Sequence, residues 1–240
     1  MKYIISLVLF FTSCITVFSQ TINENLKKEL DEILRLDQDY RKLFDNGISA
    51  EKKSEILKSL KVDEQEFRSK GWRLVAEQDS INLKQIEGII TKYGYPGKIL
   101  VGEPTNQAAW YVIQHSDKIS KYVEMVKDAA KKGEIPFLNA ALMEDRYLMN
   151  LGKEQIYGSQ GTTLRYLNKE GKEELASFIW PIKNAKNVNK LRKKVGFEDT
   201  VEDYAKDIFA ADYVYKPMKL EEALKIREKS NPQSQKKKLK

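Results

Sequence analysis

The sequence predicts a mainly helical (α+β) domain with one small β-hairpin after the fourth core helix. Three observations carry this. Apolar residues recur at steps of three and four over four long segments, and two short runs rich in β-branched and aromatic residues flank Asn168-Lys169-Glu170-Gly171. The strongest breakers, Asn46-Gly47, Tyr93-Gly94-Tyr95-Pro96-Gly97, Lys132-Gly133 and Gly152, fall between the periodic segments. A chain of 240 residues with 41% hydrophobic content is long enough for one good core, so residues 20–224 are expected to form a single domain.

Residues 1–19 place Lys2 before an apolar run from Tyr3 to Phe11 and the small Ser19 before Gln20, the pattern of a secretory signal peptide. An exported protein, periplasmic or secreted, is expected. The run is short for a membrane span of about 20 residues, so stable insertion after cleavage is not expected. A lipid on Cys14 is the lesser alternative, because Phe11-Thr12-Ser13 is a poor lipobox. Cys14 is the only cysteine, so the mature chain has no disulfide, thiol nucleophile or thiolate metal site.

Over residues 25–44 the stripe Leu26, Leu30, Ile33, Asp37, Tyr40, Phe44 predicts a helix closed by Asn46-Gly47. Residues 51–68 read as a charged peripheral helix. A helix over 69–92 carries Trp72, Val75, Asp79, Leu83, Ile86, Ile90 and Tyr93 on one face. After a bridging segment, a helix over 108–131 carries Ala108, Val112, His115, Ile119, Tyr122, Val126 and Ala129. Pro136 opens a helix with Leu138, Leu142, Asp145 and Met149 on its inner face, which stops at Gly152. Residues 162–167 and 175–182 are the hairpin strands, Pro181 marking the second as an edge. Helices return over 188–195 and 201–213.

The formal charge of +7 suggests a partner with phosphates, but its distribution does not. Lys2 is in the signal peptide, and residues 225–240 carry seven basic residues against Glu228, which leaves 20–224 neutral. A neutral body with a basic, disordered tail over 225–240 is expected, with no nucleic-acid binding by the body. No glycine-rich phosphate loop, zinc spacing or internal repeat is present.

Four helices each place one ionisable residue in an apolar stripe: Asp37, Asp79, His115 and Asp145. Such groups are seldom buried unpaired, so they are expected to share one polar pocket with Arg41, Asn82, Gln114, Arg146 and the loop Gln155, Tyr157, Gln160. Separate buried ion pairs, such as Asp37 with Arg41, are the alternative. His115 is the natural acid or base, with Asp145 or Asp79 orienting it. Three carboxylates and an imidazole suit Mg²⁺, Mn²⁺ or Fe²⁺, but the spacings match no dedicated motif, so neither metal nor cofactor is expected. Ser159 as nucleophile is weaker still, since Gly158-Ser159-Gln160-Gly161 is not a nucleophile elbow.

The combination Asp37-Gln38-x-x-Arg41, Asp79-x-x-Asn82, Tyr93-Gly94-Tyr95-Pro96-Gly97 with Val101-Gly102, Ala109-Trp110, Gln114-His115-Ser116-Asp117, Asp145-Arg146 and Gly152-x-x-Gln155-x-Tyr157-Gly158-Ser159-Gln160 resembles the bacterial domain-of-unknown-function family numbered 6624. Pro181-Ile182 and Leu191-Arg192-Lys193-Lys194-Val195-Gly196 continue it, so that residues 36–204 are covered. Ser116 and Ser159 stand where alanine and threonine are common in that family. The resemblance implies a shared site without naming a reaction. Two functions follow as expectations. One is a metal-independent hydrolase or lyase acting on a small polar molecule, with His115 as acid or base and Arg146 holding an anionic group. The other is a non-catalytic envelope module that binds its ligand through Arg146, Gln155 and Gln160. They differ in whether His115 serves turnover or only affinity.

Overall fold

A computed structural model describes residues 21–168 and 170–231; residues 1–19, expected to be a signal peptide, and with them Cys14, lie outside the described residues. Helix α1 (Glu24–Lys42) begins where the Asn23 side chain accepts the Leu26 N–H, and it buries Leu26, Leu30, Ile33, Asp37 and Tyr40. The polar Asp37 is thus held in the apolar stripe, as its spacing implied. Helix α2 (Ala50–Leu60) ends at Lys61 in the left-handed region, φ 56°. Asp63 then accepts the N–H groups of Gln65 and Glu66 and starts α3 (Glu64–Tyr93), 30 residues long. The charged segment read as 51–68 is therefore split at 61–63, and its second half belongs to the long helix. Trp72 lies off the core with 71% of its surface exposed, its ring stacked at 4.1 Å on Phe44.

A short turn of helix, α4 (Lys98–Val101), and a 3-10 turn at Thr105–Gln107 lead into α5 (Ala108–Gln114). The single helix expected over 108–131 is two, because α6 (Ile119–Lys131) starts afresh after His115. Ser116 causes the break. Its hydroxyl donates to the Ile113 carbonyl at 2.8 Å and accepts the Lys118 N–H at 3.1 Å, offering the backbone a turn in place of the ladder. Helix α7 (Phe137–Asn150) follows Pro136, and Gly152 with φ 68° lies just past its end.

Strands β1 (Gly161–Leu167) and β2 (Glu173–Ile179) form an antiparallel pair, with Gly161 opposite Ile179 and Leu167 opposite Glu173. Pro181 lies beyond β2 instead of on it, since the strand ends where the Trp180 N–H turns to the Gln160 carbonyl. Helices α8 (Val188–Val195) and α9 (Val201–Ile208) follow, the latter shorter than the expected 201–213 and capped by Thr200 and Asp203. Of the tail expected over 225–240, residues 225–230 are helical, and 232–240 lie outside the described residues. Helix α10 (Leu220–Ser230) buries Ala223 and packs Leu224 and Ile226 against Phe178 and Trp180. Burial of these apolar residues outweighs the repulsion of its basic ones, of which Lys225 pairs with Glu221 and Arg227 donates to the Met149 carbonyl at 2.8 Å.

The main core lies where α1, α3, α5, α6 and α7 meet, around Leu30, Ile86, Ile113, Val126 and Met143. A second apolar cluster joins the far end of α1 to α2 and the start of α3 through Tyr40, Ile56, Phe67 and Val75. A third packs β2 on α8 and α9 through Ile179, Val188, Val201 and Ala205. Among the described residues no helix is long and apolar enough to cross a membrane.

Candidate functional site

Helices α1, α3 and α5 bring four of the singled-out residues into one hydrogen-bonded group. The Asp37 carboxylate, 1% exposed, accepts from His115 Nδ1 at 3.2 Å on Oδ1 and from Gln38 Nε2 at 2.7 Å on Oδ2. Arg41, one turn on, approaches Asp37 Oδ1 at 3.2 Å and forks onto both oxygens of Asp79 at 2.9 Å. The guanidinium occupies the space between two carboxylates that a cation would otherwise share. Among the described residues, no three His, Cys, Asp or Glu side chains are placed to hold a metal ion.

Because a carboxylate can only accept, the Nδ1 of His115 carries a proton, and in the neutral imidazole Nε2 keeps its lone pair. The His115 side chain is 22% exposed. Its carboxylate partner is Asp37, and this corrects the expectation that Asp79 or Asp145 orients the ring. Asp79 is taken by Arg41. Asn82, one turn beyond Asp79 and fully buried, accepts from Gln78 Nε2 at 2.8 Å, while its Nδ2 has no partner among the described residues.

Asp145 belongs to a second group. Fully buried, it accepts the N–H of Ile156 at 2.7 Å, that of Tyr157 at 3.1 Å to both oxygens, that of Ser159 at 3.0 Å and the Ser159 hydroxyl at 2.9 Å. Burial pushes its carboxyl above the usual value, and the N–H groups of Ser159, Ile156 and Tyr157 oppose that shift. Gln155, also fully buried, closes the same loop by donating to the carbonyls of Gln160 and Trp180 and accepting the Gln160 N–H. Gly158 is required at its turn, since φ is 68° and a Cβ there would meet Ile182 Cδ1 at 2.7 Å. Asp145 and Gln155 thus organise a loop and face no open space. The Tyr157 ring lines a separate small cleft of about 180 Å³ with Lys127, Phe137 and Glu144.

Arg146 bonds to Gln160 of the second group and to Gln114, the sequence neighbour of His115. Its Nη1 donates to the Gln114 carbonyl at 2.9 Å, next to His115, and its Nε to Gln160 Oε1 at 3.1 Å. The Gln114 carbonyl is one that α5 leaves unpaired at its C-terminus, where a cation is favoured. Arg146 has no carboxylate partner among the described residues, and burial pushes its pKa below the ordinary arginine value. A guanidinium held only by neutral acceptors retains its attraction for an anion.

Arg192 is a further buried charge that the reading of the stripes passed over. It is 1% exposed, donates to the carbonyls of Tyr157 and Asp199 and to Asp199 Oδ1 at 2.6 Å, and lies 4.1 Å from the Phe197 ring centre. Its position four after Val188 in α8 is the signal that finds it. The Tyr204 hydroxyl completes the cradle by donating to the Ser159 carbonyl at 2.8 Å.

Residues 65–216 match the model of a family described as "Family of unknown function (DUF6624)". The match begins after α1, so Asp37 and Arg41 precede it, whereas His115, Asp145, Arg146 and the loop fall inside. No curated protein and no solved structure matches the chain.

Proposed function

The chain belongs to this family of unknown function, and we propose that it is a metal-independent hydrolase or lyase of the cell envelope acting on a small polar substrate. His115 is the acid-base group, Asp37 orients it, and Arg146 with Gln114 and Gln160 receives an anionic group of the substrate. The observation that carries this reading is the hydrogen bond from the partly exposed His115 to the buried Asp37 carboxylate. That bond fixes the tautomer and ring orientation, and leaves Nε2 to take a proton from water or from the substrate and return it to a leaving group. Arg41 and Gln38 hold Asp37 in turn, so the imidazole is positioned by packed helices and not by a mobile loop.

The test is turnover of a panel of small anionic esters, amides and β-substituted acids by the purified chain and by His115→Ala. Loss of about 10²–10⁴-fold in the variant, with unchanged circular dichroism, is expected. Equal turnover by both proteins overturns the proposal. The runner-up is a non-catalytic binding module, favoured by the unpaired Arg146; it predicts anion-dependent stabilisation that His115→Ala retains, with no turnover. Export rests on residues 1–19 and is checked by the intact mass of protein recovered from the native envelope. The neutral charge over 20–224 supports a body without affinity for nucleic acid.

A further inference from the structure

We infer that the cleft along the seam of α1 and α5 is a binding site for the polyhydroxylated, uncharged part of a ligand, a mono- or disaccharide. This rests on the proposed role of His115 only for what becomes of the ligand once bound.

The cleft has a volume of about 390 Å³, and its walls include Asp31, Arg35, Gln38 and Asp39 from α1 and Gln107 and Tyr111 from the α5 side. That volume falls within the range of roughly 300–1,000 Å³ typical of small-molecule sites. Its position is what distinguishes it. Gln38 lines the cleft and also donates to Asp37, the carboxylate that holds His115. Tyr111 is one turn before His115 on the same face of α5. A larger cavity of about 600 Å³, beside Tyr93 and Tyr95, shares no residue with either polar group.

The chemistry of the walls selects the ligand class. Every charge in the cleft already has an internal partner: Asp31 has Lys27, Arg35 has Glu32 and Asp39, and Lys42 has Asp39. A charged ligand would have to displace one of these pairs. A hydroxyl group does not, because it donates to the remaining carboxylate lone pairs and accepts from guanidinium or amide N–H groups. Gln38, whose Nε2 donates one hydrogen to Asp37, and Gln107, whose Oε1 accepts from Asn139 Nδ2 at 3.1 Å, each keep further donor and acceptor capacity. Tyr111 supplies a flat apolar surface for the C–H face of a sugar ring, and its own ring is set edge-on against Trp110 at 4.8 Å.

The experiment is an amide NMR titration of the purified chain with glucose, N-acetylglucosamine and cellobiose, with glycine and inorganic phosphate as controls. At least one saccharide should shift the amides of Gln38, Gln107 and Tyr111 while the controls do not. Tyr111→Ala should weaken that binding by about tenfold. Tyr111→Leu, which keeps volume but not the flat face, replaces Tyr111→Ala if the latter does not fold. No saccharide shift in the cleft, or equal affinity in the Tyr111 variant, overturns the inference. The two readings fail separately. Saccharide binding without turnover of any substrate removes the enzyme and keeps the site, and His115-dependent turnover with a silent cleft does the reverse.

Discussion

Replacing Asp145 tests whether a single carboxylate holds the 155–160 loop. Asp145→Ala removes the acceptor of three main-chain N–H groups and one hydroxyl, at a site with no solvent exposure. An unsatisfied buried donor costs about 1–3 kcal/mol, so the three N–H groups alone set a range of about 3–9 kcal/mol. Relaxation of the loop and entry of water favour the lower part, and about 3–5 kcal/mol is expected. Asp145→Asn keeps the shape but turns an NH₂ group toward N–H donors, and should cost about 2–3 kcal/mol. Urea unfolding followed by far-ultraviolet circular dichroism and tryptophan fluorescence measures both. Trp180 is a local reporter, since its indole N–H donates to the Lys153 carbonyl at 2.7 Å beside the loop. A cost below about 1 kcal/mol for Asp145→Ala would refute the reasoning. Gln155, Arg192 and Tyr204 would then be sufficient to hold the loop.

Three further outcomes follow from the same geometry. Gly158→Ala should destabilise by about 1–3 kcal/mol, read from the same urea curves, because the positive φ and the approach to Ile182 and Val201 act together. A chain ending at Lys219 should melt roughly 5–10 °C lower with red-shifted tryptophan emission, since Trp180 loses Leu224, Ile226 and the Arg227 guanidinium 4.9 Å from its ring. Glu87 is held below its ordinary carboxyl value of 4.5 by hydrogen bonds from Lys121 and the Tyr122 hydroxyl. Its folded pKa is lower than its unfolded one, so the stability it contributes is fully present above the unfolded value and lost as pH falls through the folded one. The difference in melting temperature between wild type and Glu87→Gln should therefore be constant near neutrality and shrink below about pH 4.5.

The stripe of α1 was legible because that helix buries one continuous face. Helix α7 instead buries Asn139, Ala140, Ala141, Met143 and Asp145, so that of the stripe read as Leu138, Leu142, Asp145 and Met149 only Asp145 is fully buried. The ends of α7 were legible because Pro136 and Gly152 act locally. The break at Ser116 was hidden because the spacing of Val112, His115 and Ile119 in sequence stays at three and four across a turn that is not helical. Helix α10 was concealed by its charge, since the contacts of Leu224 and Ile226 are with Phe178 and Trp180, distant in sequence. In the polar groups the stripe positions identified which residues turn inward, yet periodicity along one helix carries no information about partners on another. The assignment of His115 to Asp37, and of Asp145 to main-chain N–H groups, depends on how α1, α5 and α7 are set against each other.

Asp145 is committed mainly to main-chain atoms, the N–H groups of 156, 157 and 159, whereas Arg146 divides its bonds between the carbonyl of 114 and the side-chain oxygens of Gln160 and Gln114. A main-chain partner has no genotype. Apart from proline at the donor positions, any replacement at 114, 156 or 157 leaves those atoms in the chain, so drift there cannot by itself abolish the bonds. Asp145 is thereby exposed to mutation mainly on its own side, while Arg146 also depends on the side chain at 160. Short of proline at a donor position, loss of the Asp145 bonds to the main chain needs a change at 145, and no second substitution among those main-chain partners can restore them.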